Sequence, residues 1–332
     1  MKQEILSRLK GTVVLDELDN LKFVSTGNYA LNKIISGEYT KGIPIGGPTQ
    51  LRGDSSVGKT LFAASILSEA IKQGYYALLL DAENAFSKKF AQMVGIDTSK
   101  LWYSCPETVE DAFISIEESI LAIRGQDKKT PIVIVLDSLA VLPVRDELVE
   151  KKKDQSNYEA NPMEGALRAK ITGSCLRKVN PHLRKNDVAL VIINQHRNKI
   201  TMFGDPTTNA SGGMALQYYL FVDLLLKSSK TKDVILDDEE NPLGIEVEIK
   251  CNKNKCAIPF KTTRVKVKFD KGVEEYSGLL DSLVEDGKVI SKEKGRYQVG
   301  STNFTENQFV DLLLDKNNAD VAIIRDMLGI KL

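Results

Sequence analysis

The chain has 332 residues, with 45 lysines and arginines against 45 aspartates and glutamates, so its formal charge is zero. At 42% hydrophobic and 27% charged it has a globular composition, which excludes wholesale disorder, a collagen-like repeat and a coiled coil, and its length suits one dominant core with a smaller satellite. Composition therefore gives no argument for nucleic acid or membrane binding, and any such site must be local.

No apolar run approaches the ~18 residues that span a bilayer, and Met1-Lys2-Gln3-Glu4-Ile5 lacks the apolar stretch of a signal peptide, so a soluble cytoplasmic protein with no membrane partner is expected. Cys105, Cys175, Cys251 and Cys256 are scattered, and with His182 and His196 they make no zinc pattern. Free, reduced thiols follow from that compartment.

In chain order, Ile5, Leu6 and Leu9 lie at helical spacing and Thr12-Val13-Val14-Leu15 reads as an isolated strand. Neither buries its apolar face alone, so they fold back on the core or dock on a neighbouring subunit. From Pro48 to Asn194 short apolar runs alternate with helical stretches, the pattern of a mostly parallel sheet covered by helices. Tyr76 to Leu80, Ile132 to Leu136 and Val188 to Ile193 are near-continuous apolar runs, as strands buried on both faces require. Lys59 to Lys72 reads as a helix ended by Gly74, and Glu107 to Ile123 as a helix with Thr108 and Asp111 in capping-box relation. After about Met214 the texture changes: Ile245 to Lys250 and Arg264 to Phe269 alternate apolar and polar residues, as neighbouring strands with one wet face do. The acidic run Asp237 to Glu240 is a solvated loop. Beyond Asp270, Ser277 to Glu285, Lys288 to Val299 and Thr305 to Leu332 suggest a small α/β unit, with a helix at Glu306 capped by Thr305 and Gln308.

Gly53-Asp54-Ser55-Ser56-Val57-Gly58-Lys59-Thr60 matches the P-loop, in which backbone N–H groups and a helix N-terminus wrap phosphates. Lys59 would reach the β- and γ-phosphates and Thr60 would ligate Mg²⁺. Asp137, followed by Ser138, ends a five-residue apolar run at the edge where open α/β sheets bind ligands; alone it could be a strand-terminating cap, and with the P-loop present it is expected to be the second magnesium ligand. Leu80-Asp81-Ala82-Glu83 brings another carboxylate to that edge; Glu83 is the candidate to activate water, with Asp81 the rival.

Asn194-Gln195 leads into a long polar, glycine-rich stretch reaching Gly212-Gly213. Arg197 and Lys199 beside Met202 and Phe203 pair phosphate contacts with a hydrophobic wedge, as backbone-tracking nucleic acid sites do, although a plain flexible loop has the same composition. A second loop, Val144 to Glu164, carries Arg145 and Lys151-Lys152-Lys153. Between Lys250 and Lys268 stand seven basic residues, Lys250, Lys253, Lys255, Lys261, Arg264, Lys266 and Lys268, and no acidic one. Such a patch suits an anion, either DNA phosphate or a nucleotide held by the next subunit.

These stretches, in this order, resemble the RecA family of DNA strand-exchange recombinases, and more narrowly the UvsX-type recombinases of bacteriophages. The resemblance covers roughly residues 23–299 and rests on GDSSVGKT, the DAENAF segment from Asp81, IVIVLDSLA from Ile132, IINQHRNKITMFGDP from Ile192, SGGMAL from Ser211 and NKNKCAIPFK from Asn252. The tracts LNKIISGE from Leu31 and KFDKGVEEYSGLLD from Lys268 carry the phage likeness.

The resemblance implies a RecA-like α/β P-loop NTPase core at 25–270, an N-terminal oligomerisation arm at 1–24 and a small C-terminal α/β domain at 271–332. It implies a DNA-dependent ATPase using ATP and Mg²⁺, with Gly53 to Thr60, Asp137 and Ser138 on the nucleotide and Phe90 against adenine. Glu83 would activate water and Gln195 would sense the γ-phosphate, while Lys253 and Lys255 reach the neighbour's ATP. Arg197, Lys199, Met202, Phe203, Gly212 and Gly213 fall in the family's second DNA-binding loop, and the first lies near Glu147 to Gly165. The implied partners are single-stranded DNA, a homologous duplex and further copies in a helical filament, with mediator and single-strand-binding proteins as possible accessories, in the host cytoplasm if phage-encoded. Ser87 departs from the pattern by replacing an acid near the adenine. A RecA-like ring helicase and a non-catalytic paralogue or loader are the rival readings.

Overall fold

Three strands set the architecture, because their apolar side chains point alternately to two separate cores. Along Tyr76–Asp81, Ala77 and Leu79 enter one core and Leu78 and Leu80 the other. Ile132–Asp137 divides in the same way, with Val133 and Val135 on one face and Ile132, Ile134 and Leu136 on the other. Val188–Asn198 continues the alternation from Val188 to Ile193. A strand buried on both faces belongs inside a sheet covered by helices.

The computed structural model describes residues 21–148, 164–198, 208–210, 213–228 and 233–331. Its strands are β1 (Phe23–Val24), β2 (Ile43–Pro44), β3 (Pro48–Gly53), β4 (Tyr76–Asp81), β5 (Leu101–Ser104), β6 (Ile132–Asp137), β7 (Val188–Asn198), β8 (Thr208–Ala210) and β9 (Val222–Lys227). They continue as β10 (Val234–Leu236), β11 (Pro242–Asn254), β12 (Thr262–Lys268), β13 (Gly272–Val273), β14 (Ile290–Lys292), β15 (Arg296–Val299) and β16 (Thr302–Thr305). The helices are α1 (Tyr29–Ser36), α2 (Lys59–Lys72), α3 (Lys88–Met93), α4 (Val109–Gln126), α5 (Glu164–Lys185), α6 (Gly213–Tyr219), α7 (Leu279–Glu285), α8 (Phe309–Leu314) and α9 (Ala322–Leu328).

Nine strands of the central sheet run in the order β13-β12-β11-β9-β3-β7-β6-β4-β5, with β10 added beside β11 and β8 beside β7. The block β9-β3-β7-β6-β4-β5 is parallel throughout, whereas β11, β12 and β13 extend it as an antiparallel meander. The fold is thus α/β, with a mostly parallel sheet flanked by helices. Phe62, Ile66 and Leu67 of α2 close one face, and Phe113, Ile116 and Ile120 of α4 with Leu176 and Leu183 of α5 close the other.

A third core, separate from these two, holds Leu279 and Leu283 of α7, Phe304 of β16, Phe309 and Leu313 of α8 and Ile324 of α9. Tyr39 enters it from the α1 side, donating its hydroxyl to Asp286 at 2.9 Å, while Lys33 pairs with the same carboxylate at 2.6 Å. The Asn28 amide adds bonds to the carbonyls of Glu274 (2.8 Å) and Ser277 (2.9 Å).

Several sequence expectations change in detail. The strand after α5 does not stop at Asn194 and Gln195, which pair with β3, but runs to Asn198, because β8 pairs with His196 to Asn198. The α4 start forms half of a capping box: Thr108 accepts from Asp111 N–H at 3.1 Å, but its hydroxyl donates to the Asp111 carboxylate at 2.6 Å. At Thr305 the box with Gln308 is complete. The acidic run is a turn in which the Asp237 carboxylate accepts from the N–H groups of Glu239 and Asn241. All four cysteines are free. No helix among the described residues is long and apolar enough to cross a membrane. The segments 1–20 and 149–163, which hold most of the expected arm and first loop, lie outside the described residues.

Candidate functional site

Strand register brings the expected residues to one level of the sheet. Gly53 at the end of β3 stands opposite Gln195 of β7, and Asp81 at the end of β4 stands opposite Asp137 of β6. Because all four strands are parallel, this level is the carboxyl edge of the sheet, where β3, β4 and β6 end and β7 runs on to Asn198, and the space outside it is a cavity of about 290 Å³. Ser55, Ser56, Gly58, Lys59, Thr60, Glu83, Phe90, Asp137, Ser138 and Gln195 line it, and Ile193, Ile245 and Phe269 supply apolar wall.

The loop from Gly53 to Gly58 makes its turn by two glycines. A Cβ on Gly53 would meet the Leu226 carbonyl at 2.4 Å, so only glycine lets β3 and β9 approach this closely. Gly58 takes φ 84° as the cap of α2, a conformation that L side chains rarely adopt. Val57 is buried beneath the loop, whereas Asp54, Ser55 and Ser56 are exposed. The Lys59 ammonium bends back over the loop and donates to the carbonyls of Gly53 (3.1 Å) and Asp54 (2.6 Å). Burial lowers its pKa, opposed by the charges of Asp137, Glu83 and Asp54.

Thr60 Oγ1 donates to Asp137 Oδ2 at 2.7 Å, and Ser138 Oγ donates to Glu83 Oε1 at 2.9 Å. The Asp137 carboxyl is pushed up to about 6, by burial first and then by Glu83 and Asp81, against the lowering effects of Thr60 and Lys59. A buried carboxylate repelled by two others suits a cation, and a hydroxyl paired with a carboxylate is a hard oxygen donor set that fits magnesium completed by phosphate oxygens.

Asp81 plays a different part from Glu83. Its buried carboxylate accepts from Glu83 N (3.2 Å), Phe86 N (2.8 Å) and Tyr103 Oη (2.8 Å), so it organises the turn from which the exposed Glu83 projects. Of the rival pair, Glu83 alone lines the cavity. Tyr103 escaped sequence reasoning because nothing in the tract Leu101-Trp102-Tyr103-Ser104 marks it; the parallel pairing of β4 and β5 brings it to Asp81. Ser87 likewise acquires a local role, its side chain capping α3 by accepting from Phe90 N at 3.1 Å. Phe90 then packs edge-to-face on Phe86, ring centres 5.2 Å apart.

Past Gln195, Arg197 sits on β7 paired with Asn209 of β8, and Gly213 begins α6. Lys199, Met202, Phe203 and Gly212 lie outside the described residues. Lys253 and Lys255 are not in the cavity: Lys253 Nζ donates to the Gln217 carbonyl of α6, and Lys255 Nζ lies 5.1 Å from the centre of the Phe221 ring. The basic hairpin is less bare than its sequence suggests. Arg264 pairs with Glu246 (3.2 Å) and Glu248 (3.8 Å) of the facing strand, and Lys268 pairs with Glu274 (2.7 Å). A buried pair that sequence reasoning did not single out, Arg52 Nε with Asp223 Oδ1 at 2.9 Å, ties β3 to β9 just before the loop.

With this geometry the chain matches the family model described as the RecA N-terminal domain over residues 9–274. It is 31% identical over 306 residues to the protein RecA of Treponema denticola, covering 92% of this chain and 69% of that one. The protein RecA of Mycoplasma mycoides is 35% identical over 280 residues, 83% of this chain and 74% of the relative. The mitochondrial DNA repair protein recA homolog 3 of Arabidopsis thaliana is 29% identical over 304 residues, 91% of this chain and 66% of the relative.

Proposed function

This chain belongs to the RecA family, and from that premise we propose that it is an ATP-dependent recombinase that forms helical filaments on single-stranded DNA and pairs that strand with a homologous duplex. The observation that carries the reading is the meeting, at one sheet edge, of the phosphate loop, the Thr60–Asp137 pair and Glu83, with Gln195 opposite Gly53. Gln195 belongs to the strand that leads directly into the glycine-rich stretch, so a change at the γ-phosphate and a change at DNA share one element.

In this reading backbone N–H groups of 53–60 hold the phosphates of ATP, and Lys59 exchanges its carbonyl partners for phosphate oxygens. Thr60 and Asp137 would hold magnesium, which would supply charge neutralisation for the phosphates. Glu83, held by Ser138, orients the attacking water and accepts its proton. Phe90 presents its ring to the adenine, Lys253 and Lys255 meet the nucleotide of the next subunit, and Arg197, Lys199, Met202, Phe203, Gly212 and Gly213 contact DNA. We assign residues 1–24 to an oligomerisation arm, 25–270 to the ATPase core and 271–332 to a C-terminal domain, and the tracts at Leu31 and Lys268 support a UvsX-type, phage-encoded member.

The test is steady-state ATP hydrolysis with and without single-stranded DNA at several salt concentrations. Strong stimulation is expected, with DNA affinity falling on a log–log slope of about −0.7 per phosphate neutralised. A rate indifferent to demonstrably bound DNA would move the assignment to a paralogue or loader, and a closed ring on imaging would move it to a helicase.

A further inference from the structure

We propose that Phe221 is a positioning residue for Lys255, and that the junction between α6 and β9 seats the lysine pair before any neighbour arrives. The proposal rests on the reading of Lys253 and Lys255 as the pair that meets the neighbour's nucleotide, and deepens it.

The junction grips both lysines from one side. Lys253 stands in register opposite Asp223, past an irregularity in the β9–β11 pairing that begins after Cys251. Its ammonium donates to the Gln217 carbonyl at the end of α6, and Asp223 is itself held by Arg52. Lys255 is fixed twice by Phe221: its backbone N–H donates to the Phe221 carbonyl at 2.9 Å, and its ammonium lies 5.1 Å from the ring centre. The ring packs against the main core. It occupies the place where a Cβ on Gly47 would lie, 2.4 Å from that position, and the Phe221 N–H donates to the Pro48 carbonyl at 2.8 Å. Phe221 therefore connects the strand that leads into the phosphate loop with the hairpin that carries the lysines.

Two features distinguish seating from sequestration. An ammonium has three donors, so Lys253 keeps two after bonding Gln217, and a cation over a ring face keeps its outer donors free. A lysine side chain also loses more rotamer entropy on fixing than most, so one ordered in advance binds a phosphate more tightly than one that must be ordered on arrival. The seat follows α6 directly, and α6 begins at Gly213, the end of the glycine-rich stretch.

The test uses the full chain on single-stranded DNA. Phe221→Leu should lower DNA-dependent kcat by about two- to fivefold, the worth of an exposed cation–π contact, while Phe221→Tyr keeps the parent rate. Nucleotide affinity without DNA should not move. In a double-mutant cycle, adding Phe221→Leu to Lys255→Ala should cost nothing further, because Phe221 acts only through that lysine. Independent multiplication of the two effects would overturn the proposal, as would a parental rate in Phe221→Leu when Lys255→Ala is slow. Should Phe221→Leu unfold, Phe221→Met, which retains volume over Gly47 without a π face, carries the same cycle. A parental rate in Lys255→Ala would instead sink the reading of the lysine pair itself.

Discussion

The Thr60 hydroxyl donates to the Asp137 carboxylate across 2.7 Å, joining the first turn of α2 to the end of β6. That single bond does not offset what burial and two neighbouring carboxylates impose on Asp137, whose pKa is raised from 3.8 to about 6. The site is arranged for a positive charge, and the chain alone carries the cost.

The sign of that cost makes a pH prediction. A carboxyl with folded pKa above its unfolded value destabilises the fold fully above about pH 6 and is relieved as pH falls toward 4; the shift corresponds to about 3 kcal/mol. Asp137→Asn should therefore be more stable than the parent at pH 8, by up to about 3 kcal/mol, and the gap should shrink below about 1 kcal/mol near pH 4. Denaturant melts at both pH values measure it. A gap of equal size at both would remove the carboxylate charge as its origin. The same variant should lose magnesium-dependent hydrolysis, stability having been gained where function is lost.

Lys59 and Glu83 separate binding from turnover. On the proposed function, Lys59→Ala removes the cation that would meet the phosphates, so nucleotide affinity should collapse in equilibrium titration. Glu83→Gln keeps the side chain's size and its bond from Ser138 but cannot accept a proton. It should bind nucleotide as the parent does and hydrolyse it about 10²- to 10⁴-fold more slowly. Full hydrolysis by either variant would overturn the roles given to them.

Much of the sheet edge was legible because its signals are local: GDSSVGKT fixes a loop and a helix start, and five apolar residues before Asp137 fix a buried strand and its end. What was not legible depends on which strands become neighbours. Tyr103 reaches Asp81 only because β5 pairs with β4. Ile245 and Phe269 join the cavity wall only because the antiparallel meander extends the sheet beyond β9. The seven basic residues looked like a bare patch because the acids that pair with two of them lie outside the tract, Glu246 and Glu248 with Arg264 on the facing strand and Glu274 with Lys268 beyond it. Beyond Gln195 the polar sequence reads as loop, yet pairing with β8 carries His196 to Asn198 as strand, tertiary context overriding pattern.

Tyr103 offers a check on how Glu83 is held. Asp81 is only 2% exposed and accepts three hydrogen bonds, one of them from Tyr103 at 2.8 Å. Tyr103→Phe deletes that donor while leaving the ring on the edge strand, where water can replace the hydroxyl because Tyr103 is 48% exposed. The expected loss of stability is about 1 kcal/mol, the ordinary net worth of one hydrogen bond, with a drop in kcat and little change in nucleotide affinity. A raised KM at unchanged kcat would place Tyr103 on the binding side instead.

Phe90 tests the proposal that its side of the cavity receives the base. Its ring lines the space and is braced edge-to-face by Phe86, while Ser87 caps the helix that carries it. Phe90→Ala leaves that cap and the phosphate machinery intact, so the loss should fall on the base alone. Stacking of a base on an aromatic ring is worth about 1–3 kcal/mol, which predicts KM for ATP at least about fivefold higher with kcat near the parent value at saturation. Phe90→Tyr, retaining the π face, should restore most of the affinity. If inorganic triphosphate, which has no base, loses affinity in Phe90→Ala as ATP does, the ring acts on the loop and not on the adenine.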